Sequence, residues 1–456
     1  MAHKTRPHRS AKAAAPHNRE TPGLKARALA IDILDSVLHR GATLDDALAK
    51  IHAGPDWQAL ARRDRGLTRL IATTVLRRLG QLRAVVGKSL SKPLPASGAR
   101  AQLILLAGAA QLLFLDLPAH AVIDTAVRLS REKRASARFD KLVNAVLRRV
   151  DESGREAVAS QDAAALNFPA WLIDKWRDHF GEANAQAMAL ASLQEPARDI
   201  TAKSEADVWA ERLGGEVLPT GSIRCANEGP IAEMIGFGEG AWWIQDAAAA
   251  LPARLLAPIA GRRVADLCAA PGGKTAQLAA LGGQVTAVDI SQSRLDTVAS
   301  NLARLDLAAE LVVADARQWQ PERTFDAVLV DAPCTATGTI RRHPDILHLR
   351  RQEDFARMRE LQSAILANAA RMIGPGGVLV YCTCSLEPEE GEHVVESFLS
   401  AHDDFTRAPI TPSEIGDQSN FLTADGDLRT LPSHWPATDA HRGGLDGFYA
   451  SRLRRL

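Results

Sequence analysis

Five short apolar segments in the carboxyl-terminal half constrain the fold of this chain more than any other feature. They are Val264–Cys268, Gln284–Val288, Glu310–Val313, Ala327–Val330 and Val378–Thr383, separated by stretches with helical spacing, clearest at Arg294–Leu305 and Glu353–Ile373. Short apolar strands alternating with helices predict a mostly parallel, doubly wound α/β sheet of Rossmann-like type, covered on both faces. Ligands in such sheets bind beyond the carboxyl ends of the strands, so the residues that follow each strand carry the functional information.

The amino-terminal third has a different texture. Leu24–Leu38, Gln58–Leu79, Ala99–Leu115, His120–Leu129 and Ala137–Val150 repeat apolar residues three and four apart, with Gly41, Gly54–Pro55, Pro93–Pro95 and Pro118 between them. No alternating pattern interrupts them, which predicts an all-helical domain. Residues 1–22 mix basic residues, three His, Ala and Pro without apolar periodicity and read as a disordered arm. Residues 152–170 are polar and Ala-rich and read as a linker; beyond them, a helix near Trp171–Phe180 and a strand near Glu216–Leu218 suggest a small α+β segment. The expected division is an arm at 1–22, a helical domain at 23–150, a linker with a small α+β segment at 151–245, and the sheet domain at 246–456.

The formal charge of +1 hides an asymmetry. Residues 1–150 carry 27 Lys and Arg against 11 Asp and Glu, while the rest of the chain carries 28 against 43. A basic domain attracts a polyanion by releasing counterions, although a solvated Arg-rich helical surface would have the same composition. The apolar run Leu103–Leu115 is interrupted by Gln111 and is too short to span a membrane, and the first twenty residues lack the apolar core of a secretory signal. A cytoplasmic protein is expected. Five cysteines in 456 residues are no disulfide framework, yet Cys268, Cys334, Cys382 and Cys384 all fall at or near strand ends.

The first strand runs into Asp266-Leu-Cys-Ala-Ala-Pro-Gly-Gly-Lys-Thr275, a glycine turn opening a helix. A Walker loop would need glycine where Cys268 stands, and the G-x-G-x-x-G dinucleotide fingerprint is absent. Asp289 ends the second strand, where an acid can accept both ribose hydroxyls of an adenosine, and Asp315 follows the third, within reach of an adenine amino group. A lone Asp after a strand is usually only a cap. Two in order behind a glycine loop without phosphate-binding residues favour an adenosine that carries no phosphate, hence S-adenosylmethionine.

The fourth strand ends in Asp331-Ala-Pro-Cys334 and the fifth in Cys382-Thr-Cys384. Both tips open onto one crevice, so Asp331, Cys334 and Cys384 should converge. Carbon 5 of a pyrimidine is too poor a nucleophile to attack a methyl sulfonium. A thiolate adding at carbon 6 makes the ring an enamine whose carbon 5 can attack, and a carboxylic group at ring nitrogen 3 and the exocyclic amine eases the addition. A second thiol could assist loss of the carbon-5 proton and expulsion of the cysteine. Amino-group methylation usually carries Asn/Asp-Pro-Pro-Tyr/Phe here, and a zinc site would have to recruit His343 and Cys334 to Cys382 and Cys384. Inert buried thiols are the plainer alternative, accepted for Cys382, expected to point away from the face of Cys384, and for Cys268, expected to line the loop by its backbone. Cys225 belongs to no motif.

At these residues the chain resembles the Sun/Fmu (RsmB-type) 16S ribosomal RNA cytosine-C5 methyltransferases. The resemblance rests on 266–275, on Asp-Ala-Pro-Cys-Thr-Ala-Thr-Gly at 331–338, on Arg-Arg-His-Pro-Asp at 341–345, on Thr-Cys-Ser at 383–385 and on Asp446-Gly-Phe-Tyr449, which is similar to the family's closing strand. The helical domain resembles the NusB-like RNA-binding module of this subgroup. The resemblance implies that Cys384 is the nucleophile, that Cys334 promotes product release, and that Cys268, Ala269, Ala270, Pro271, Gly272, Gly273, Lys274, Asp289, Asp315 and Asp331 contact the cofactor. It implies RNA rather than DNA as substrate, since DNA enzymes use the Pro-Cys cysteine as nucleophile, and it implies no metal. One departure concerns the Pro-Pro-x-x-Leu-Arg-Val-Asn-like strand usual in the family; here Glu195–Lys203 keeps little of it. That departure bears on the position methylated more than on the reaction. Transfer RNA as substrate, or a non-catalytic RNA-binding assembly factor, are the alternatives to a ribosomal RNA enzyme.

Overall fold

A computed structural model of the chain describes residues 23–225, 229–436 and 443–456; the expected arm at 1–22 lies outside the described residues. The amino-terminal part is helical from Leu24 through Ala159, with principal helices Leu24–Arg40, Leu44–His52, Arg62–Arg77, Leu79–Ser89, Ala99–Leu113, Ala119–Glu132 and Asp140–Ala159. Local chemistry sets the breaks. Gly41 adopts φ 70° and closes the first helix by donating its N–H to Ser36, and the Thr43 side chain caps the next by accepting from Asp46 N. Ala99–Leu113 is the core helix, buried on nearly every side. Its one inward polar residue, Gln111, is satisfied by Arg27 Nε at 2.7 Å and Ala107 O at 2.8 Å, which is how an amide fits in an apolar run.

Residues 152–170 are not an extended linker. Asp140–Ala159 extends into their first half, burying Val143, Val146, Leu147, Val150 and Gly154 on one side and leaving its polar face to solvent. A further turn, Ala163–Asn167, is capped by Asp162, and Asn167 Oδ1 accepts from Gly80 N and Gln81 N. The polar, Ala-rich composition is that of a one-sided helix, not of a mobile segment.

After helices Ala170–Phe180 and Glu182–Ser192 come four short strands, β1 Arg198–Ala202, β2 Glu216–Val217, β3 Ile223–Cys225 and β4 Trp242–Ile244, in an antiparallel sheet of order β2-β3-β1-β4. The remaining strands are β5 Arg263–Leu267, β6 Gln284–Asp289, β7 Glu310–Val313, β8 Phe325–Asp331, β9 Ile373–Thr383, β10 Phe405–Arg407, β11 Leu428–Thr430 and β12 Phe448–Arg455. They form one sheet of order β10-β12-β9-β8-β5-β6-β7, with β11 on β12. From β9 to β7 the pairing is parallel; β10, β11 and β12 add an antiparallel edge.

Strand order reverses between β5 and β8, the place where such sheets open a ligand crevice. Both faces are buried. One packs Val264, Leu329, Val380 and Cys382 with Leu251 and Leu278; the other packs Leu267, Val328, Val330 and Tyr381 with Ile365, Leu366 and Val395. Among the described residues no helix is long and apolar enough to cross a membrane.

The helical part grips the sheet domain at the loop after β8. Leu44 N donates to Asp345 Oδ2 at 2.9 Å, Arg77 Nη2 donates to Arg341 O at 2.8 Å, and His348 Nε2 lies 2.8 Å from Leu76 O.

Candidate active site

The glycine loop leaves β5 with Cys268 at φ 62° and Gly272 at φ 98°. Gly272 meets a double demand, because a Cβ there would also stand 3.0 Å from Val298 Cγ1. Asp289, buried at the end of β6, holds the loop: its carboxylate accepts from Ala270 N at 3.2 Å and Ser291 N at 3.0 Å, and Arg294 Nη1 lies 3.4 Å away. Asp315 sits two residues past β7 in an ion pair with Arg317, whose hydrogen bonds hold its carboxyl below the ordinary range.

Three residues here escaped the sequence reading. Ile290 and Val313, 66% and 50% exposed, present apolar surface at the tips of β6 and β7 beside the two acids, a suitable wall for a flat base. The signal was an apolar residue within two positions of each strand-end acid. Asp266 is buried in β5; Thr275 Oγ1 donates to it at 2.6 Å and its other oxygen has no protein partner. Burial pushes its carboxyl up to about 7, against the lowering effect of Thr275. A glycine turn, an unsatisfied buried carboxyl oxygen and an exposed apolar wall together fit an adenosine with an ammonium-bearing tail, which is S-adenosylmethionine.

The tips of β8 and β9 bring the other expected residues together. Lys274 Nζ lies 2.8 Å from Asp331 Oδ2 and 4.9 Å from the ring centre of Phe448. Burial alone would lower the Lys274 ammonium, but the charge and hydrogen bond of Asp331 together with the nearby Cys382 and Cys384 outweigh it and hold Lys274 above the usual lysine range. Cys334 and Cys384 place their sulfurs 3.5 Å apart. The Cys334 thiol is pushed well above its ordinary range, first by its hydrogen bond to Cys384 and then by burial.

Cys382 does not point away from the face of Cys384. Residues two apart along a strand share a face, and both pack in the same apolar layer, with Cys382 Sγ 3.5 Å from Asp331 Oδ1. Cys268 is also pushed up by burial, and Cys225 is buried in the small sheet. Among the described residues no group of three or more His, Cys, Asp and Glu has the geometry to hold a metal ion, and His343 Nδ1 lies 3.6 Å from Asp45 Oδ2.

Behind the thiols lies a buried ionic network that the sequence displayed only as the Arg-Arg-His-Pro-Asp motif. Arg224 pairs with both oxygens of Asp199 at 2.8 and 2.9 Å, Arg341 reaches Asp246 at 3.3 Å and Asp446 at 3.6 Å, and Arg342 pairs with Asp446. Three Arg balance three Asp, which offsets the cost of burying them. Burial still pushes Asp446 up to about 7, although Arg342 pulls the other way. The network joins the small sheet, the loop after β8 and the start of β12 into one support. The strand expected before the catalytic domain persists as β1, with Asp199 committed to this network.

The sequence matches the family described as 16S rRNA methyltransferase RsmB/F over residues 253–454 and the NusB family over 24–152. A ribosomal RNA small subunit methyltransferase B of Vibrio cholerae serotype O1 is 36% identical over 412 residues, 87% of this chain and 94% of that one. Among solved structures, that of PH0851 overlays with a TM-score of 0.74 at 22% identity, covering 95% of this chain and 99% of that one, which speaks for the fold. A methyltransferase homolog protein from Pyrococcus horikoshii overlays with a TM-score of 0.53 at 27% identity, covering 64% and 97%. With a helical NusB-family domain clamped to a sheet whose strand tips assemble this site, the chain belongs to the RsmB/F family of 16S rRNA methyltransferases and is an S-adenosylmethionine-dependent ribosomal RNA methyltransferase.

Proposed function

We propose that the enzyme methylates carbon 5 of a cytosine in small-subunit ribosomal RNA through a covalent adduct to Cys384, and that it acts in the cytoplasm. The observation that carries the chemistry is the pair of sulfurs 3.5 Å apart beside the Lys274–Asp331 ion pair.

Residues 268–274, Asp289 and Asp315 would hold S-adenosylmethionine, with Ile290 and Val313 against its base. The bound cofactor supplies an electrophilic methyl group. Cys384 gives its thiol proton to solvent and its sulfur adds to carbon 6 of the cytosine, forming a carbon–sulfur bond and moving electron density toward ring nitrogen 3 and carbon 5, so that carbon 5 can bond the methyl group. Asp331 faces ring nitrogen 3 and the exocyclic amine, and the Lys274 ammonium neutralises charge that reaches the ring. The sulfurs of Cys334 and Cys384 are close enough to exchange a proton. As the carbon–sulfur bond breaks, Cys334 passes its thiol proton to the departing Cys384 sulfur and takes the carbon-5 proton in its place, so that both thiols end protonated and the carbon 5–carbon 6 double bond re-forms.

The two thiols are separable by experiment. Cys384→Ala should neither methylate nor form a covalent complex. Cys334→Ala should still methylate once but stall at elimination, accumulating protein bound to methylated RNA as a slow band on a denaturing gel that RNase collapses. The reverse pattern would make Cys334 the nucleophile, and full activity in both variants would end the covalent reading.

A further inference from the structure

Glu390 lies outside every motif read from the sequence, and its side chain is fully buried at the end of the turn Pro388–Glu390. One carboxylate oxygen accepts from Thr335 N at 2.9 Å and Gln362 Nε2 at 3.1 Å; the other accepts from the Thr335 hydroxyl and from Ser385 Oγ at 2.5 Å. Four donors fill the acceptor capacity of a carboxylate. Thr335 follows Cys334 and Ser385 follows Cys384, so a single side chain holds both thiol-bearing segments. Gln362 extends the bracket, donating also to Pro333 O at 2.9 Å, and Tyr381 OH fixes the Glu390 backbone by donating to its carbonyl at 2.7 Å.

The location of this bracket matters. The backbone ladder between β8 and β9 ends with Ala332 N donating to Cys382 O at 2.9 Å, two residues short of each thiol. Past that point the sheet no longer sets the distance between the strands. Glu390 touches neither sulfur, so whatever it does for the reaction passes through Thr335 and Ser385.

We infer that Glu390 is a positioning residue whose carboxylate clamps the two segments beyond the β8 and β9 tips and so sets the separation of Cys334 and Cys384. The inference rests on the reading of those two thiols as the reacting groups. An apolar residue of similar size would fill the space but leave Thr335 N without a partner and the Gln362 amide with Pro333 O alone. The segments would then splay, and misplacement of a reacting group by about 1 Å can cost about 100-fold in rate.

The test uses the full-length enzyme with small-subunit RNA and S-adenosylmethionine. Glu390→Ala should lower kcat by about 100-fold while KM for RNA and cofactor affinity stay within about threefold. Glu390→Gln should recover at least about a tenth of the parent kcat, because an amide can accept from Thr335 N and donate to the two hydroxyls. A kcat for Glu390→Ala within threefold of the parent overturns the inference. So does an equal fall in both variants accompanied by matching loss of cofactor binding, which would mark a residue needed only for folding.

Should Glu390→Ala fail to fold, a double-mutant cycle decides. Ser385→Ala should reduce kcat in the parent and have much less effect in the Glu390→Met background, where the side chain fills the space without bonding Ser385; additive effects would show that the two groups do not act together. Cys384→Ala, run alongside, separates the failures. If it is inactive while Glu390→Ala is fully active, only the role of Glu390 falls, whereas activity in Cys384→Ala removes the thiol reading itself.

Discussion

Asp266 is buried without a counter-ion close enough to bond, and its carboxyl is pushed up to about 7. An unfolded Asp titrates near about 4. A carboxyl that binds its proton more tightly when folded stabilises the fold below about pH 4, and that contribution is lost as the pH rises through about 7. Thermal unfolding of the cofactor-free enzyme between pH 5 and 8 should therefore show a smaller fall in Tm for Asp266→Asn than for the parent. A residual slope should persist, because Asp446 and Glu387, also pushed up to about 7 by burial, titrate in the same sense. Equal slopes would clear Asp266 of the effect. Asp289 accepts from two backbone N–H groups, with Arg294 Nη1 3.4 Å away. For Asp289→Ala, loss of charge-assisted hydrogen bonds worth about 1.5–3 kcal/mol each predicts at least about tenfold weaker cofactor binding by calorimetry. An unchanged affinity would move the ribose elsewhere.

The segment after β8 and the start of β12 meet backbone to backbone. Gly338 N donates to Cys384 O at 3.0 Å, Gly447 N donates to Gly338 O at 2.8 Å, and a Cβ on Gly338 would stand 2.0 Å from Gly447 O. Since backbone cannot yield like a flexible side chain, Gly338→Ala should cost about 1–3 kcal/mol of stability, read by chemical denaturation, and lower kcat as the Cys384 segment shifts. Normal stability and rate would mean the stitch can open freely. This element also shows what the sequence made legible. The strand-end residues Asp289, Asp331 and Cys384 stood out because each closes an apolar run, and runs that short with helices between admit few folds. β9 begins at Ile373, earlier than its apolar stretch, because Ile373 pairs with Phe325 of β8 while Gly374-Pro-Gly-Gly377, which carries no side-chain pattern, bulges out before pairing resumes at Val378. β12 was visible only through its resemblance, since Arg452, Arg454 and Arg455 hide its alternation although it is paired on both sides. Glu390 was not legible at all, and Arg341 only as a letter of the motif at 341–345, because their roles depend on partners that lie far away in sequence and meet only in the folded chain.

On the scale of the whole molecule, the exposed Arg62, Arg63 and Arg69 belong to the helix whose last residue, Arg77, bonds Arg341 O. The basic helical domain thereby presents cationic surface from an element that touches the loop behind the thiols. Replacing all three by Glu should weaken RNA binding and reduce the slope of log K against log salt by about 2, given about 0.7–0.9 for each phosphate no longer neutralised. Cofactor affinity should not change; an unaltered salt slope would assign this face to something other than RNA. The grip of Leu44, Leu76 and Arg77 on Asp345, His348 and Arg341 has a consequence for biosynthesis. A chain leaves the ribosome amino end first, and domains generally fold in that order. The helical domain is therefore complete before residue 341 is made, and it offers a finished template on which the loop beside Cys384 settles as it emerges. A helical domain placed at the other end of the chain by circular permutation would arrive too late to do so, and such a protein should refold from denaturant more faithfully than it matures in the cell.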